Sequence, residues 1–242
     1  MAKLTSFKLL SFDVYGTLID YERGALKALE PIFQKSGNPD LDLKQVMQRF
    51  SKLQAAGQAE KPKQLYRDLL TSVHPILCKE FGLAEPTEEE SKTFGASIPS
   101  WAAWPDTVDA LRRLQKVYKM VVLSNVDNDS FQKNNAASME GFEWDAVLTA
   151  EDIGSYKPNH NNFHHMLREA KSRFGVEKDE VLQTAQSQFH DHHPAKELGI
   201  KSSWIWRPGS VAGNRDDPVY DYKFETLADM ADAVERELAD ER

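Results

Sequence analysis

The sequence predicts an α/β protein with a doubly wound parallel sheet, and three observations support this. Strand and helix patterns alternate from about residue 100 onward. The first strand pattern, FKLLSFDV at 7–14, is a compact apolar run that carries an acid near its end, as in a central parallel strand. Between these regions the patterning is helical only. A length of 242 residues suits one catalytic domain with such an insertion.

The insertion contains three amphipathic segments, which read ALKALEPIFQKSG, LKQVMQRFSKLQAAGQ and PKQLYRDLLTSVHPILCKEFG. Breaks at 38–40 and 60–62, each with a proline, separate them. We therefore expect an α/β core formed by residues 1–20 and 98–242, and a helical cap formed by residues 21–97.

The later strands of the sheet are expected at 120–123, 144–149, 181–184 and 203–206. The tail TLADMADAVERELADER, at 226–242, predicts a closing helix. In a sheet of this kind the ligand crevice lies at the carboxyl ends of the strands. Polar residues that follow the strands are therefore the candidates for a functional site.

Composition argues against several classes of function. The formal net charge is -8 and the sequence pI is about 5.4, so nothing draws the chain to nucleic acids or anionic membranes. No apolar run approaches the ~20 residues that span a bilayer, and no small-residue cleavage site follows the N-terminal run. The lone cysteine, Cys78, cannot form an internal disulfide. We expect a cytoplasmic protein without nucleic-acid or membrane partners.

Four groups of polar residues stand at or near strand ends: 13–17, 124–125, Lys157 and Asp191. Brought to one crevice, they supply a nucleophile, anion-binding donors, a charge balancer and a water-activating group. In this hypothesis Asp13 attacks the substrate and forms an ester, and Lys157 balances its charge. Asp191 then activates the water that cleaves the ester. The side chains of Thr17, Ser124 and Asn125 donate hydrogen bonds to an anionic group of the substrate.

These motifs resemble those of the haloacid dehalogenase (HAD) superfamily. They are DVYGT at 13–17, LSN at 123–125, YKP at 156–158 and HDHHPAKELG at 190–199, in the family's order. The resemblance spans nearly the whole chain and implies a HAD-like core with a helical cap inserted after the first strand. It also implies a hydrolase that works through an aspartyl ester.

Two departures from the family pattern point away from phosphoryl transfer. HAD phosphatases usually carry an aspartate two residues after the nucleophile, where this chain has Tyr15. They usually hold Mg²⁺ with an acid five residues before the last aspartate, where this chain has Gln186. A neutral amide weakens such a cation site. We therefore expect no cofactor, with a weak Mg²⁺ site only if the protein is a phosphatase.

Tyr15 instead matches the L-2-haloacid dehalogenase branch, in which a halide leaves without needing a proton. The branch implies a halide cradle formed by a cap arginine and an asparagine, which resemble Arg49 and Asn125 here. The last motif departs from that branch at Gln186, Gln188 and His190. The residues expected to contact the substrate are Tyr15, Thr17, Arg49, Ser124, Asn125, Gln188 and His190.

The predicted function is hydrolysis of a small 2-haloalkanoic acid to the 2-hydroxy acid, with a small anionic organic molecule as the substrate. Two alternatives stay open: a small-molecule phosphatase of the same superfamily, and a catalytically silent relative that binds a ligand or partner. A homodimer is also left open. The cluster His190, His192 and His193 is not expected to bind a metal, because neighbouring side chains project in different directions.

Overall fold

The computed structural model describes residues 3–38 and 40–240, and a parallel sheet lies at its centre. The six strands are β1 (Leu9–Phe12), β2 (Lys119–Ser124), β3 (Ala146–Thr149), β4 (Val181–Ala185), β5 (Lys201–Ile205) and β6 (Tyr222–Phe224). They lie in the order β3-β2-β1-β4-β5-β6, and every neighbouring pair is parallel. The predicted α/β fold with a doubly wound parallel sheet is confirmed.

Both faces of the sheet are covered, as the apolar strand patterns require. Every residue of β1 is buried, and so is every residue of β4. Leu10 and Phe12 point into the larger apolar cluster, and Leu9 points into the smaller one. Successive residues of a strand point to opposite faces, so a strand with helices on both sides is apolar throughout.

The sequence predicted the first five strands of the sheet but not the sixth, β6. All five predicted strands are present, with ends that differ by at most two residues. β6 has three residues, lies at the edge of the sheet and is partly exposed. A strand so short and so little buried has no distinct apolar pattern, and for this reason the sequence does not reveal it.

The described residues form ten helices, of which the first four make up the insertion after β1 and the other six belong to the α/β core. They are α1 (Tyr21–Ser36), α2 (Leu43–Glu60), α3 (Tyr66–Glu80), α4 (Glu88–Gly95), α5 (Thr107–Leu114), α6 (Asn128–Ser138), α7 (Ala150–Ile153), α8 (His160–Phe174), α9 (His193–Glu197) and α10 (Leu227–Asp240). Among the described helices, none is long and apolar enough to cross a membrane.

The insertion after β1 is helical, as the periodicity indicates, and its helices have local start and stop signals. Asp20 caps α1 by accepting a hydrogen bond from the backbone of Arg23, and α1 ends at Gly37 with φ of 61°. Thr87 and Glu90 form a reciprocal capping box at α4. The domain boundaries at residues 20 and 97 stay a prediction. Pro39, in the first predicted break, and residues 1–2 and 241–242, at the ends of the predicted core, lie outside the described residues.

Trp101 joins the insertion to the core. Its ring packs edge-on against Tyr15 of the core at 5.8 Å and against Tyr21 of α1 at 5.6 Å between centroids. A Cβ atom at Gly24 would lie 2.5 Å from the Trp101 ring, so only glycine lets α1 approach this closely. The insertion therefore rests against the loop that carries the first predicted motif.

Candidate active site

Three side chains form a buried ionic cluster at the carboxyl edge of the sheet. Asp13 directly follows β1, Asp191 lies in the turn after β4, and Lys157 lies in the loop before α8. The Lys157 Nζ is 2.9 Å from Asp13 Oδ1 and 2.7 Å from Asp191 Oδ1. β1 and β4 are neighbours whose connections run to opposite sides of the sheet, which is where ligands bind in this class of fold.

The cluster is held by charge balance in a buried site. Burial alone would lower the pKa of Lys157, but the two carboxylates outweigh it, and the pKa is raised above its usual value. Burial raises the pKa of the Asp191 carboxyl to about 7, although Lys157 and the Gln183 amide favour its ionised form. The second oxygen of Asp191, Oδ2, is buried and has no hydrogen-bond partner in the described part of the chain.

Asp13 is oriented by the turn that follows β1. Thr17 Oγ1 donates a 2.7 Å hydrogen bond to Asp13 Oδ2 and accepts one from the Gln186 backbone. Gly16, with φ of 102°, occupies a backbone region that other residues rarely adopt. Thr17 is fully buried and is not among the residues that line the pocket, so the structure gives it the role of positioning Asp13. The predicted contact of Thr17 with the substrate stays a prediction.

A cavity of about 70 Å³ lies in front of Asp13, between the core and the helical insertion. Both parts of the chain contribute lining residues. Those from the core include Asp13, Tyr15, Ser124, Asn125, Lys157 and His190. Those from the insertion are Tyr21, Ser51, Gln54, Gln58 and Tyr66. The volume admits several water-sized groups, which limits a fully enclosed ligand to a small molecule.

Three hydroxyls that line this pocket have no hydrogen-bond partner. They are the Tyr15 hydroxyl, Ser51 Oγ and Ser124 Oγ, which are buried without a hydrogen bond in the part of the chain described. Buried polar atoms are nearly always satisfied in folded proteins, so their exceptions need a reason. A ligand with acceptor atoms supplies that reason here.

Arg49 is not among the residues that line the pocket, and its predicted contact with the substrate stays a prediction. Its guanidinium pairs with the Glu80 carboxylate of α3 at 2.5 and 2.6 Å, and its side chain is 41% exposed. Successive side chains of a helix differ in direction by about 100°. A sequence pattern that locates an arginine only to within one helical turn therefore does not determine whether its side chain faces the pocket. The pocket-facing positions of α2 are Ser51, Gln54 and Gln58. Among the described lining residues, only Lys157 is a lysine or arginine.

Two other residues that were predicted to contact the substrate form hydrogen bonds with the protein backbone. Asn125 Nδ2 donates to the Lys157 carbonyl at 2.9 Å, and Asn125 Oδ1 accepts from the Lys157 backbone at 2.7 Å. Asn125 therefore lines the pocket but its amide clamps the lysine-bearing loop. Gln188 is fully buried outside the pocket and accepts a hydrogen bond from the Val219 backbone. The amide oxygen faces the loop before β6, and the predicted contact of Gln188 with the substrate stays a prediction.

On the insertion side, the wall of the pocket is formed by hydrogen-bonded residues that were not predicted from the sequence. Gln54 Nε2 donates to the Tyr21 hydroxyl at 2.5 Å, and the Tyr66 hydroxyl donates to Gln54 Oε1 at 2.7 Å. The spacing of Ser51, Gln54 and Gln58 by three and four residues places them on one face of α2. Polar residues in that spacing on an otherwise apolar face were the signal that could have revealed this wall.

Comparison with known proteins decides the family. A family model for haloacid dehalogenase-like hydrolases matches residues 7–182. The chain belongs to the haloacid dehalogenase-like hydrolase family. The match covers most of the chain, including β1, the helical insertion and the Lys157 loop. The predicted family is thereby confirmed, and so is the prediction that the protein is a hydrolase of this superfamily. No curated protein matches this HAD-like hydrolase in sequence.

Solved structures share the fold at low sequence identity. L-2-haloacid dehalogenase PA0810 is 22% identical with a TM-score of 0.75, over 96% of this chain and 99% of that chain. The L-2-haloacid dehalogenase of Xanthobacter autotrophicus with chloropropionic acid covalently bound is 18% identical with a TM-score of 0.76, over 95% and 98%. YfnB of Bacillus subtilis, bound to magnesium, is 16% identical with a TM-score of 0.75, over 95% and 99%.

The donor set of this HAD-like hydrolase does not suit the magnesium ion found in some relatives. Both carboxylates, Asp13 and Asp191, already bind the Lys157 ammonium, and the Gln186 amide binds Asn214. Mg²⁺ requires several oxygen ligands with compensating negative charge. In residues 3–38 and 40–240, no three His, Cys, Asp or Glu side chains converge in a way that could hold a metal.

His190 lines the pocket, where we expected it to contact the substrate. Burial and the nearby Lys157 charge lower the pKa of its ring to about 4, so the ring is neutral at neutral pH. Its Nδ1 lies 3.0 Å from Ser187 Oγ. The neighbouring His192 lies outside the pocket, with Nε2 at 2.9 Å from the Ala185 carbonyl and Nδ1 at 2.9 Å from Ser202 Oγ. The two histidines thus have separate environments.

Proposed function

We propose that this HAD-like hydrolase converts a small 2-haloalkanoic acid to the 2-hydroxy acid, with Asp13 as a covalent nucleophile and without a cofactor. The observation that carries the proposal is the buried Asp13–Lys157–Asp191 cluster, in which the Lys157 ammonium lies between the two carboxylates and balances their charge. The fold relative from Xanthobacter autotrophicus, which holds chloropropionic acid covalently, supports the same assignment.

The first step forms an ester. An oxygen of the Asp13 carboxylate attacks the carbon that bears the halogen, and the carbon–halogen bond breaks with its electron pair leaving as halide. The attacked carbon inverts, and no proton is needed. Tyr15 suits this step, because burial raises the pKa of its phenol well above the usual value. The phenol stays protonated and serves as a hydrogen-bond donor.

The unpartnered hydroxyls give the substrate its orientation. Ser124 Oγ lies in the pocket with no bond of its own in the described chain, and it donates to the substrate carboxylate in this proposal. The departing halide is received on the insertion side by uncharged hydroxyls, those of Tyr21 and Ser51. They occupy the wall where the family resemblance led us to expect an arginine.

The second step returns the enzyme to its starting state. A water oxygen attacks the ester carbonyl carbon of Asp13, and Asp191 Oδ2 accepts the proton of that water. The bond between that carbonyl carbon and the substrate oxygen breaks, and the proton passes from Asp191 to this oxygen to give the 2-hydroxy acid. The second proton of the water, left on the Asp13 carboxyl, is released to solvent, so that Asp13 is again ionised. Lys157 balances the charge on both carboxylates throughout. Oδ2 is the free acceptor of Asp191, since Oδ1 already binds Lys157 and Gln183.

We expect the second step to fail as the pH falls below about 7. Burial raises the pKa of Asp191 to about 7, and the base must be ionised, so activity is present above this value and lost below it. The rate of ester hydrolysis should fall about tenfold per pH unit on the acid side. Rapid-quench measurements at pH 5.5 should show a full burst of halide followed by slow turnover. A burst that shrinks together with the turnover would contradict the assignment of Asp191.

Arg49→Ala should change halide release by no more than about twofold. An exposed ion pair contributes little, and Arg49 contacts Glu80 instead of the pocket. The measurement is kcat/KM with L-2-chloropropionate, with Glu80→Ala as the matched variant that breaks the same pair. A loss of a hundredfold in Arg49→Ala alone would show that the arginine reaches the substrate during turnover.

The direct test of the proposed function is halide release from L-2-chloropropionate, measured with and without a chelator. We expect chelator-insensitive release of chloride and formation of the hydroxy acid with inverted configuration. A panel of small phosphate esters with Mg²⁺ serves as the comparison. Mg²⁺-dependent phosphate release with no halide release would replace the proposal by a phosphatase. Inactivity on both panels, with binding of a small acid, would indicate a silent relative.

A further inference from the structure

A second cavity of about 370 Å³ lies beside the catalytic pocket, between α2 and the loop that carries Lys157. Two residues line both cavities, Gln58 and Lys157. The remaining lining is mostly apolar and includes Ala55, Ala59, Pro62, Pro158 and Phe189. We call the cavity formed by these five residues the side groove.

The side groove has the features of a surface that binds the apolar groups of a ligand. Phe189 is 37% exposed, although large aromatic side chains are usually more deeply buried. Its backbone is fixed by a 3.0 Å hydrogen bond to the Gly213 carbonyl, so the ring is presented from a defined position. Ala55 and Ala59 stand one turn apart on α2, and their small side chains leave the groove open.

Among the described residues of α2, only Gln58 lines both the groove and the catalytic pocket. Its contact with the Asn125 amide is long, at 3.4 Å between Oε1 and Nδ2. A hydrogen bond of that length is weak, so the side chain can turn aside at little cost. The catalytic pocket, at about 70 Å³, encloses a reacting carbon with its carboxylate and halogen but no long chain. A longer substrate needs further space next to the catalytic pocket, and the side groove lies next to that pocket.

We infer that the side groove holds the alkyl tail of the substrate, so that the hydrolase acts on 2-haloalkanoic acids of medium chain length in preference to the three-carbon acid. This inference rests on the proposed function and names its substrate class. Burial of methylene groups against Ala55, Ala59 and Phe189 provides the selectivity. An increase of about threefold in kcat/KM per added methylene is expected, up to the length of the groove.

The test is a chain-length series of L-2-bromo acids from propionate to octanoate, with bromide release as the readout. The wild-type chain should gain activity with length. Ala59→Trp, which fills the groove, should abolish that gain and leave 2-bromopropionate unchanged. Ala56→Trp is the matched control, because Ala56 is exposed on α2 and does not line the groove. It should retain the full chain-length profile.

The outcomes separate this inference from the proposed function. Activity on 2-bromopropionate with no gain from longer chains, or an Ala59→Trp variant that loses all substrates alike, would overturn the groove and leave the dehalogenase assignment intact. Calorimetric binding of 2-hydroxyoctanoate and lactate gives a readout without turnover. Tighter binding of the longer acid, lost in Ala59→Trp, supports the groove even if no halide is released, and equal binding of the two acids overturns it.

Discussion

Asp13→Asn should lower halide release by about 10⁴-fold or more, because it removes the atom that forms the covalent bond. The substitution is nearly isosteric, and the amide oxygen can still accept the hydrogen bond from Thr17 Oγ1. The fold should therefore survive. Steady-state kinetics and a thermal unfolding curve on the same preparation are the measurements. Activity equal to that of the wild-type chain would rule out covalent catalysis by this residue.

The matched control for this variant is Asp20→Asn. Asp20 lies close to Asp13 in the chain but caps α1, and asparagine caps a helix equally well. It should keep full activity. An isotope experiment adds an independent check: in a single turnover in heavy-oxygen water, one heavy oxygen should enter the Asp13 side chain and none the product. Label found directly in the product would show that water attacks the substrate itself.

Lys157→Met should lose both activity and stability. The side chain is 1% exposed and its Nζ lies between two buried carboxylates, which the variant leaves without a balancing charge. Breaking such a pair costs about 3–5 kcal/mol of unfolding free energy. We expect turnover to fall by about 10³-fold, since the positive charge acts on both ester formation and ester cleavage. Urea unfolding and halide release measure the two effects.

The stability loss of Lys157→Met should depend on pH in a defined direction. Burial already raises the pKa of Asp191 to about 7, and loss of the ammonium removes an interaction that lowers it. A raised acid pKa disfavours the folded state where the acid must ionise, so the deficit should be largest above pH 7. It should shrink as the pH falls toward 4 and the Asp191 carboxyl protonates. A deficit independent of pH would point to lost packing instead of lost charge balance.

A double variant and a surface variant complete the experiment on Lys157. Lys157→Met with Asp191→Asn removes one of the two uncompensated charges and should recover part of the stability without recovering activity. Lys133→Met removes an exposed lysine that pairs with Asp129 and should leave the unfolding curve unchanged. Equal destabilisation by Lys133→Met would show that the method responds to any lost lysine.

Local patterning was sufficient for most of the fold, because each strand and helix carries its own periodicity. β1, β2 and β4 were recognisable as apolar runs, and the helical insertion as a stretch without strands. Asp13 and Lys157 could be chosen because their motifs occur in the family's order. β6 escaped because a three-residue edge strand derives its structure from pairing with β5 and not from its own pattern.

The sequence did not predict the protein partners of three side chains near the site. Arg49, Thr17 and Gln188 lie in the segments where they were expected, yet each points to a protein partner: Glu80, Asp13 and the Val219 backbone. A shift of one or two residues on a helix turns a side chain away from the pocket, and neighbouring groups decide which polar atoms are already satisfied. A single sequence does not show which neighbouring groups take the hydrogen bonds of each side chain.

The sequence by itself determined the class of fold, the family and the identity of the nucleophile candidate, because these depend on residue order and local periodicity. Only the tertiary structure decided which cations and amides reach the pocket. It placed the Lys157 ammonium between two carboxylates, turned Arg49 outward and set Gln58 between two cavities. The physical reason is that charge balance and hydrogen-bond satisfaction in a buried site depend on distances between segments far apart in the chain, which no local pattern encodes.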